Sequence, residues 1–278
     1  MAVMAMPFLM AYGDGEVTDA KLVPIEGDID MDHKTGNDIV EKVRGLLREN
    51  SDEETRIGSR RFFKKNECIL AHGVKSAAVR KIAKAAFAEI RGLPKNDIFA
   101  LCEDFWKSGY IEEIGAACEW SYAVRGQYIP EDFSIFEKWV DIYVNNWMAC
   151  DTLCNHTIGT FIEMYPKFAA SLTGWSKSKS RWKKRASAVS LIIPARKGLF
   201  LPEIFEIADT LISDPDDLVQ KGYGWMLKAA SDARRSEVFD FVVARKGVMP
   251  RIAFRYAIEK MPPERRAEAM KKNDKSGA

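Results

Sequence analysis

The sequence predicts an all-α fold, a solenoid of stacked antiparallel helix pairs, on three observations. Apolar residues recur at helical spacing, as in Ile39, Val40, Val43, Leu46 and Leu47, and again in Val79, Ile82, Ala83, Ala86, Phe87 and Ile90. Four prolines, Pro94, Pro130, Pro166 and Pro202, stand 36 residues apart, a period with room for two helices and two short connections. No alternating apolar segments flank a hairpin turn. A compact irregular helical bundle is the competing arrangement.

The elements follow in order. Residues 1–36 form an acidic tail with Gly13, Gly15, Pro24 and Gly27 and no sustained periodicity. Helices begin after Asn37. Ser51 and Glu54 fit a capping box for the second helix. Gly92 stands where a helix would close on a left-handed residue. Each of the four spaced prolines opens an amphipathic segment, because the first helical position does not use its N–H. A repeat domain over 37–273 and a short tail over 274–278 complete the chain.

Composition narrows the function. The chain has 278 residues, 47% hydrophobic and 29% charged, which is globular. No apolar run is long enough to span a bilayer. The apolar stretch Met1–Met10 lacks a basic start and runs into Asp14, Glu16 and Asp19, so no secretory signal is expected. Five cysteines without C-x-x-C spacing read as reduced thiols of a cytoplasmic protein. Charge is unevenly spread. Residues 1–55 carry 5 basic and 13 acidic groups, and the rest of the chain 37 and 27. From Met164 to Pro202 there is no acid, while Lys167, Lys177, Lys179, Arg181, Lys183, Lys184, Arg185, Arg196 and Lys197 accumulate. A run of one sign is either a polyanion footprint or a solvated face.

Three segments could carry chemistry. In Asn145–His156, Asn146 or Asn145 is a good N-cap, and Trp147 and Asp151 share one face at i and i+4. The plain alternative is an indole packed inward and an acid favouring the helix start. Cys150, Cys154 and His156 do not make a zinc set, since His156 points elsewhere and no second pair accompanies them. In Ser180–Ile193 a basic first turn, Arg181-Trp182-Lys183-Lys184-Arg185, precedes an apolar stretch. In Gly222–Asp232 two glycines beside Trp225 permit close approach of a helix or ligand. Arg251, Arg255 and Tyr256 add polar groups near the C-terminus. No P-loop, nucleophile elbow or dinucleotide fingerprint is present.

Taken together these motifs resemble the AlkD-type DNA alkylation repair glycosylases, built from HEAT-like helix repeats, over about Ile39 to Met270. The resemblance rests on Trp147-x-x-x-Asp151, Trp182-Lys-Lys-Arg185-Ala, Gly224-Trp225-x-Leu-Lys and Arg255-Tyr-Ala-Ile258, with Phe62-Phe-Lys-Lys and Gly73–Ile82 matching the N-terminal signature. It departs at Ala77, where a proline is usual, and at Met148, where an acid often follows the tryptophan.

The resemblance implies a curved body with a concave DNA-binding face carrying Trp147, Asp151, Arg185 and Trp225. It implies excision of N3- and N7-alkylated purines from duplex DNA. The residue types agree. Sugar hydrolases generally use two carboxylates, but a cationic alkylpurine leaves as a neutral base without a general acid. Asp151 would then stabilise the sugar cation and orient a water, Trp147 and Trp225 would offer π faces, and Arg185 would hold a phosphate. Lys177, Lys179, Arg181, Trp182, Lys183 and Lys184 would contact DNA. No metal, cofactor, membrane or obligate protein partner is expected, and the protein is expected to be a monomer. The alternatives are a non-catalytic binder of distorted or branched DNA on the same scaffold, and a protein-interaction scaffold.

Overall fold

The computed structural model describes residues 33–64, 67 and 69–271, with side chains from Asp38 onward. Of the expected tails over 1–36 and 274–278, residues 1–32 and 274–278 lie outside the described residues. The chain is all-α, as the periodicity predicts. The one β-type contact among the described residues is an isolated bridge between Leu70 and Tyr110. Two compact units divide it, the first ending at Ala123 and the second starting at Val124.

The first unit contains α1 (His33–Glu49), α2 (Glu53–Ser59), α3 (Ser76–Ile90), α4 (Lys95–Ser108) and α5 (Ile111–Ala123). Helix α1 thus starts slightly before Asn37. The unit's core is the meeting of the apolar stripes of α1, α3, α4 and α5: Val43, Leu47, Ala83, Ile98, Phe105 and Trp120 have no exposed surface. The Trp120 indole N–H donates to the Ala83 carbonyl at 2.8 Å, which satisfies the one polar atom that a buried tryptophan brings with it.

Two buried acids at the start of α5 tie down the segment before α3. Glu112 accepts from the backbone N–H groups of His72, Gly73 and Val74 at 2.8 to 3.1 Å. Glu113 pairs with Arg44 Nε at 2.9 Å and with His72 Nε2 at 3.0 Å. The His72 ring stacks on Tyr110, with centroids 4.1 Å apart.

The second unit contains α6 (Asp132–Ile142), α7 (Trp147–Thr152), α8 (Gly159–Met164), α9 (Ala169–Ser176), α10 (Arg181–Val189), α11 (Ile192–Arg196), α12 (Leu201–Leu211), α13 (Asp217–Ala230), α14 (Arg235–Ala244), α15 (Arg251–Ala257) and α16 (Pro263–Met270). A π-turn over Leu153–Ile158 joins α7 to α8 without a break. Such turns insert an extra residue into a helix and re-aim the side chains after it.

The spacing seen in the prolines reappears in the packing. Tyr165 Oη donates to the Tyr128 carbonyl and Trp175 Nε1 to Glu137, across 37 and 38 residues. Lys197 meets Glu163 across 34, and Arg245 meets Asp209 across 36. Equivalent helices of successive pairs therefore lie side by side, as in an α-solenoid.

Several local expectations are corrected. The cap of α2 is Asp52, not Ser51: its carboxylate accepts from Thr55 N at 2.7 Å. Asp52 is chosen because its own N–H is already held by the Gly73 carbonyl at 2.9 Å, which fixes the direction of its side chain. Gly92 does not close α3 in a left-handed conformation. The helix ends through Arg91 in an ordinary right-handed turn, and the left-handed closing glycine is Gly109, after α4, with φ of 73°. Of the spaced prolines, Pro94 caps α4, Pro130 precedes α6 by two residues, Pro166 opens a single 3₁₀ turn and Pro202 is the second residue of α12. They mark helix starts without sharing one position.

Gly73 is the tightest backbone position in the first unit. Its φ is +88°, and a Cβ there would lie 2.5 Å from the Asp52 carbonyl and 2.7 Å from Arg56 Cβ. Left-handed strain of about 1–3 kcal/mol adds to that clash. Gly73→Ala should therefore lower the unfolding midpoint of the intact protein by several degrees in calorimetry. An unchanged midpoint would contradict this account of the loop.

Candidate active site

The site residues all belong to the second unit. Asn146 opens α7 in an extended conformation, and its side-chain oxygen accepts from Ala149 N at 2.9 Å. That cap satisfies one of the free amides of the first turn and sets Trp147 and Asp151 one turn apart on one face. Ser180 similarly starts α10, its hydroxyl accepting from Lys183 N at 3.4 Å. Four residues into α10 the basic run turns inward. Arg185 is 1% exposed and Asp151 is 0% exposed.

Asp151 and Arg185 meet in a bidentate pair. Arg185 Nε donates to one carboxylate oxygen at 2.8 Å and Nη2 to the other at 2.7 Å. Nη1 donates to the Leu218 carbonyl at the start of α13. Burial pushes the Asp151 carboxyl above the ordinary aspartate value, and the Arg185 guanidinium pulls against that rise. For Arg185 burial works against the charge, but Asp151 outweighs it and the pKa rises. Arg185 is thus a cation held by three acceptors in a dry setting, where a planar fork matches a carboxylate best.

In the free protein, three of the five N–H donors of Arg185 are held by Asp151 and the Leu218 carbonyl, and the side chain is buried.

Glycines on α13 let neighbouring helices close in. Helix α10 packs against α7 on one side and α13 on the other, and α13 packs against α15. A Cβ at Gly222 would stand 3.3 Å from Arg185 Cγ. One at Gly224 would stand 2.9 Å from both the Ala253 carbonyl and Tyr256 Cβ. The sequence expectation of close approach at these glycines holds at both. Trp225 follows directly, half-buried, on the helix that Arg185 lies against. Trp147 is packed rather than displayed, at 5% exposure.

The basic run is free of acids along the chain but not in space. Lys183 Nζ lies 2.9 Å from Glu137 and 2.7 Å from Asp141 on α6. Partial burial opposes its charge, yet the two acids hold its pKa above the ordinary lysine value. Lys184 pairs with Asp214, and Arg181 with Asp216. Lys177 is 3.8 Å from Glu206. Lys179 is exposed and has no ion pair among the described residues. The Arg181 guanidinium also lies 5.3 Å from the half-buried Trp182 ring. The acids that answer these cations were missed in the sequence. The 36-residue period could have found Asp216, which stands 35 residues from Arg181.

Cys150, beside Asp151, is a neutral thiol. Burial pushes its pKa far up, with Cys154 and Asp151 adding to the rise, and its Sγ faces the Trp182 carbonyl at 3.8 Å. Such a rise disfavours the thiolate through which a cysteine acts as nucleophile or metal ligand.

The pair's energetics are testable. Removing one member of a buried ion pair leaves an uncompensated charge, at a cost of about 3–5 kcal/mol. Asp151→Asn should therefore lower the thermal midpoint by on the order of 10 °C. Arg185→Gln should recover more than half of that loss when added to Asp151→Asn. Additive losses in the double variant, measured by calorimetry, would show that the two side chains do not depend on each other.

Residues 43–261 match the family of DNA alkylation repair enzymes. No protein of curated function matches the sequence. The solved structure of a predicted DNA alkylation repair enzyme from Enterococcus faecalis superposes with a TM-score of 0.68 at 14% identity, covering 77% of this chain and 98% of that one. The structural likeness concerns the fold, and the sequence match spans both the first unit's core and every site residue named above. This chain belongs to the DNA alkylation repair enzyme family.

Proposed function

We propose that this protein is a DNA glycosylase that releases cationic N3- and N7-alkylated purines from duplex DNA. The observation that carries the reading is the buried Asp151–Arg185 pair, in a chain of this family, with Trp147 one turn before Asp151. Cleavage of the N-glycosidic bond develops positive charge on the deoxyribose. An alkylated purine that is already cationic needs no proton to depart, so one carboxylate suffices where neutral leaving groups need two groups.

Arg185 acts here by holding Asp151 ionised and in one orientation. The guanidinium takes one lone pair on each carboxylate oxygen and leaves another on each for a water or the sugar. A carboxylate fixed in advance in a water-poor site stabilises developing charge without reorganising during the reaction. Approach of the lesion requires displacement of the side chains that cover Asp151. Trp225, on α13 and only partly buried, would offer its ring to the cationic base.

A second reading, a non-catalytic DNA binder, is favoured by one specific observation: Asp151 has no exposed surface and both its oxygens are engaged. Incubation with methylated duplex DNA separates the two. The glycosylase reading expects free 3-methyladenine and 7-methylguanine well above spontaneous release, quantified by mass spectrometry. Duplex binding with release no faster than spontaneous depurination would establish the second reading instead.

DNA contact is assigned to the exposed Lys177 and Lys179 together with Arg181, Trp182, Lys183 and Lys184. Each phosphate neutralised contributes about −0.9 to the slope of log K against log salt. Lys177→Ala with Lys179→Ala should flatten that slope by roughly one to two units and weaken binding to every duplex alike. An unchanged slope would remove these two residues from the interface.

A further inference from the structure

The outer face of α3 carries cations that no acid among the described residues answers. Lys81, Lys84 and Arg91 are exposed and have no ion pair or side-chain hydrogen bond among those residues. The charges on either side of them are taken. Arg80 lies 3.3 Å from Glu119 of α5, and Glu89 lies 2.7 Å from Lys42 of α1. The row between these two pairs faces away from the core stripe of Val79, Ala83, Ala86 and Ile90. Ala77, Ala85 and Ala88 share the exposed face, so a chain can lie close to it. The cations of α10 differ, since acids of neighbouring segments answer them.

The sequence before α1 supplies a matching anion. Residues 26–32 read Glu-Gly-Asp-Ile-Asp-Met-Asp, an acid at every second position and no cation. In an extended chain alternate side chains share a face, so these carboxylates would line one edge over about 20 Å. The row from Lys81 to Arg91 spans about 15 Å of helix. The path between them is short. Helices α1 and α3 run antiparallel: Lys42 meets Glu89, and the Asp52 N–H after α1 meets the Gly73 carbonyl before α3. His33 therefore starts α1 about 10 Å beyond Arg91. About three extended residues cover that distance, which brings the acids back onto the row.

We propose that residues 26–32 dock along the outer face of α3 in the free protein, with Glu26, Asp28 and Asp30 opposite Lys81, Lys84 and Arg91. The segment is then a tethered polyanion, and any outside polyanion has to displace it from this face. Each exposed pair alone is weak. The tether holds the acids at an effective concentration of about millimolar, so several weak pairs act together. The proposal rests neither on base release nor on DNA binding.

The test is zero-length carbodiimide cross-linking of the full-length protein without DNA, read by mass spectrometry after trypsin. Peptide 22–34 should be joined to Lys81 or Lys84 at low salt, and not in about 1 M salt, where the Debye length is about 3 Å. In a mixture of isotope-labelled and unlabelled protein the links should stay within one label. Mixed links would place the segment of a second copy on the face and overturn the proposal. Absence of links to these two lysines, or links spread evenly over the exposed lysines, would overturn it too. The acetylation rate of Lys81 and Lys84, with Lys179 as reference, gives a second reading. Replacing the four acids together, by Glu26→Gln, Asp28→Asn, Asp30→Asn and Asp32→Asn, should speed acetylation of both lysines several-fold and leave Lys179 unchanged. Equal rates in variant and wild type contradict the docking. Should added duplex DNA alone then slow them, the face is a nucleic-acid surface and the segment is not its occupant.

Discussion

A single buried ion pair organises the second unit. Asp151 and Arg185 come from helices 34 residues apart, and neither is tolerable in the interior alone. The carboxylate needs the guanidinium to remain charged, and the guanidinium needs two carboxylate oxygens and the Leu218 carbonyl to occupy its donors. Each requirement fixes a backbone. Asp151 must lie in the first turns of α7, which Asn146 caps. Arg185 must lie one turn into α10, past the point where its basic neighbours stop facing outward. The start of α13 must present a carbonyl. The pair therefore acts as a gauge that holds α7, α10 and α13 at one separation, and the same constraint makes it a preorganised electrostatic site.

Glycine is the other half of this arrangement. Gly222 makes room for the Arg185 side chain and Gly224 for α15, from nearly opposite faces of one helix. Gly159, just after the π-turn, admits the Ser190 carbonyl to 2.9 Å of where its Cβ would be. A methyl group at Gly159 or Gly224 would meet neighbouring backbone too closely, and at Gly222 the Arg185 side chain would have to give by a few tenths of an ångström. The surface cations obey a different rule. Lys183 reaches acids on α6, and Lys184 and Arg181 reach Asp214 and Asp216 just before α13, in partly buried pairs. Their effect is to leave the face near neutral in the free protein, and on the proposed reading DNA would exchange those acids for phosphates.

The fold was legible because its signals are periodic. Helical spacing and the evenly placed prolines both reflect one repeating unit, and the packing repeats with nearly the same separation. Legibility failed where a choice depends on a distant residue. Ser51 and Asp52 are equal candidates as a cap until the Gly73 carbonyl takes the Asp52 N–H. Gly92 and Gly109 both follow apolar stripes, but only Gly109 has positive φ. Asp151 and Arg185 were legible as motif residues, and the contact between them was not. A basic run with an arginine at its inner end suggests phosphate. The interior position of that arginine becomes visible only when Gly222 is set against it.

The account claims that the Asp151 charge is needed for chemistry and not only for folding. The most direct measurement is single-turnover release of 7-methylguanine by the Asp151→Asn, Arg185→Gln double variant, which removes both charges and keeps two polar side chains. The account predicts a folded protein that still binds duplex DNA and releases the base on the order of a hundredfold to a thousandfold more slowly than wild type, the effect of one lost electrostatic stabiliser. Release at the wild-type rate by that folded variant would contradict it and leave the pair as a purely structural gauge.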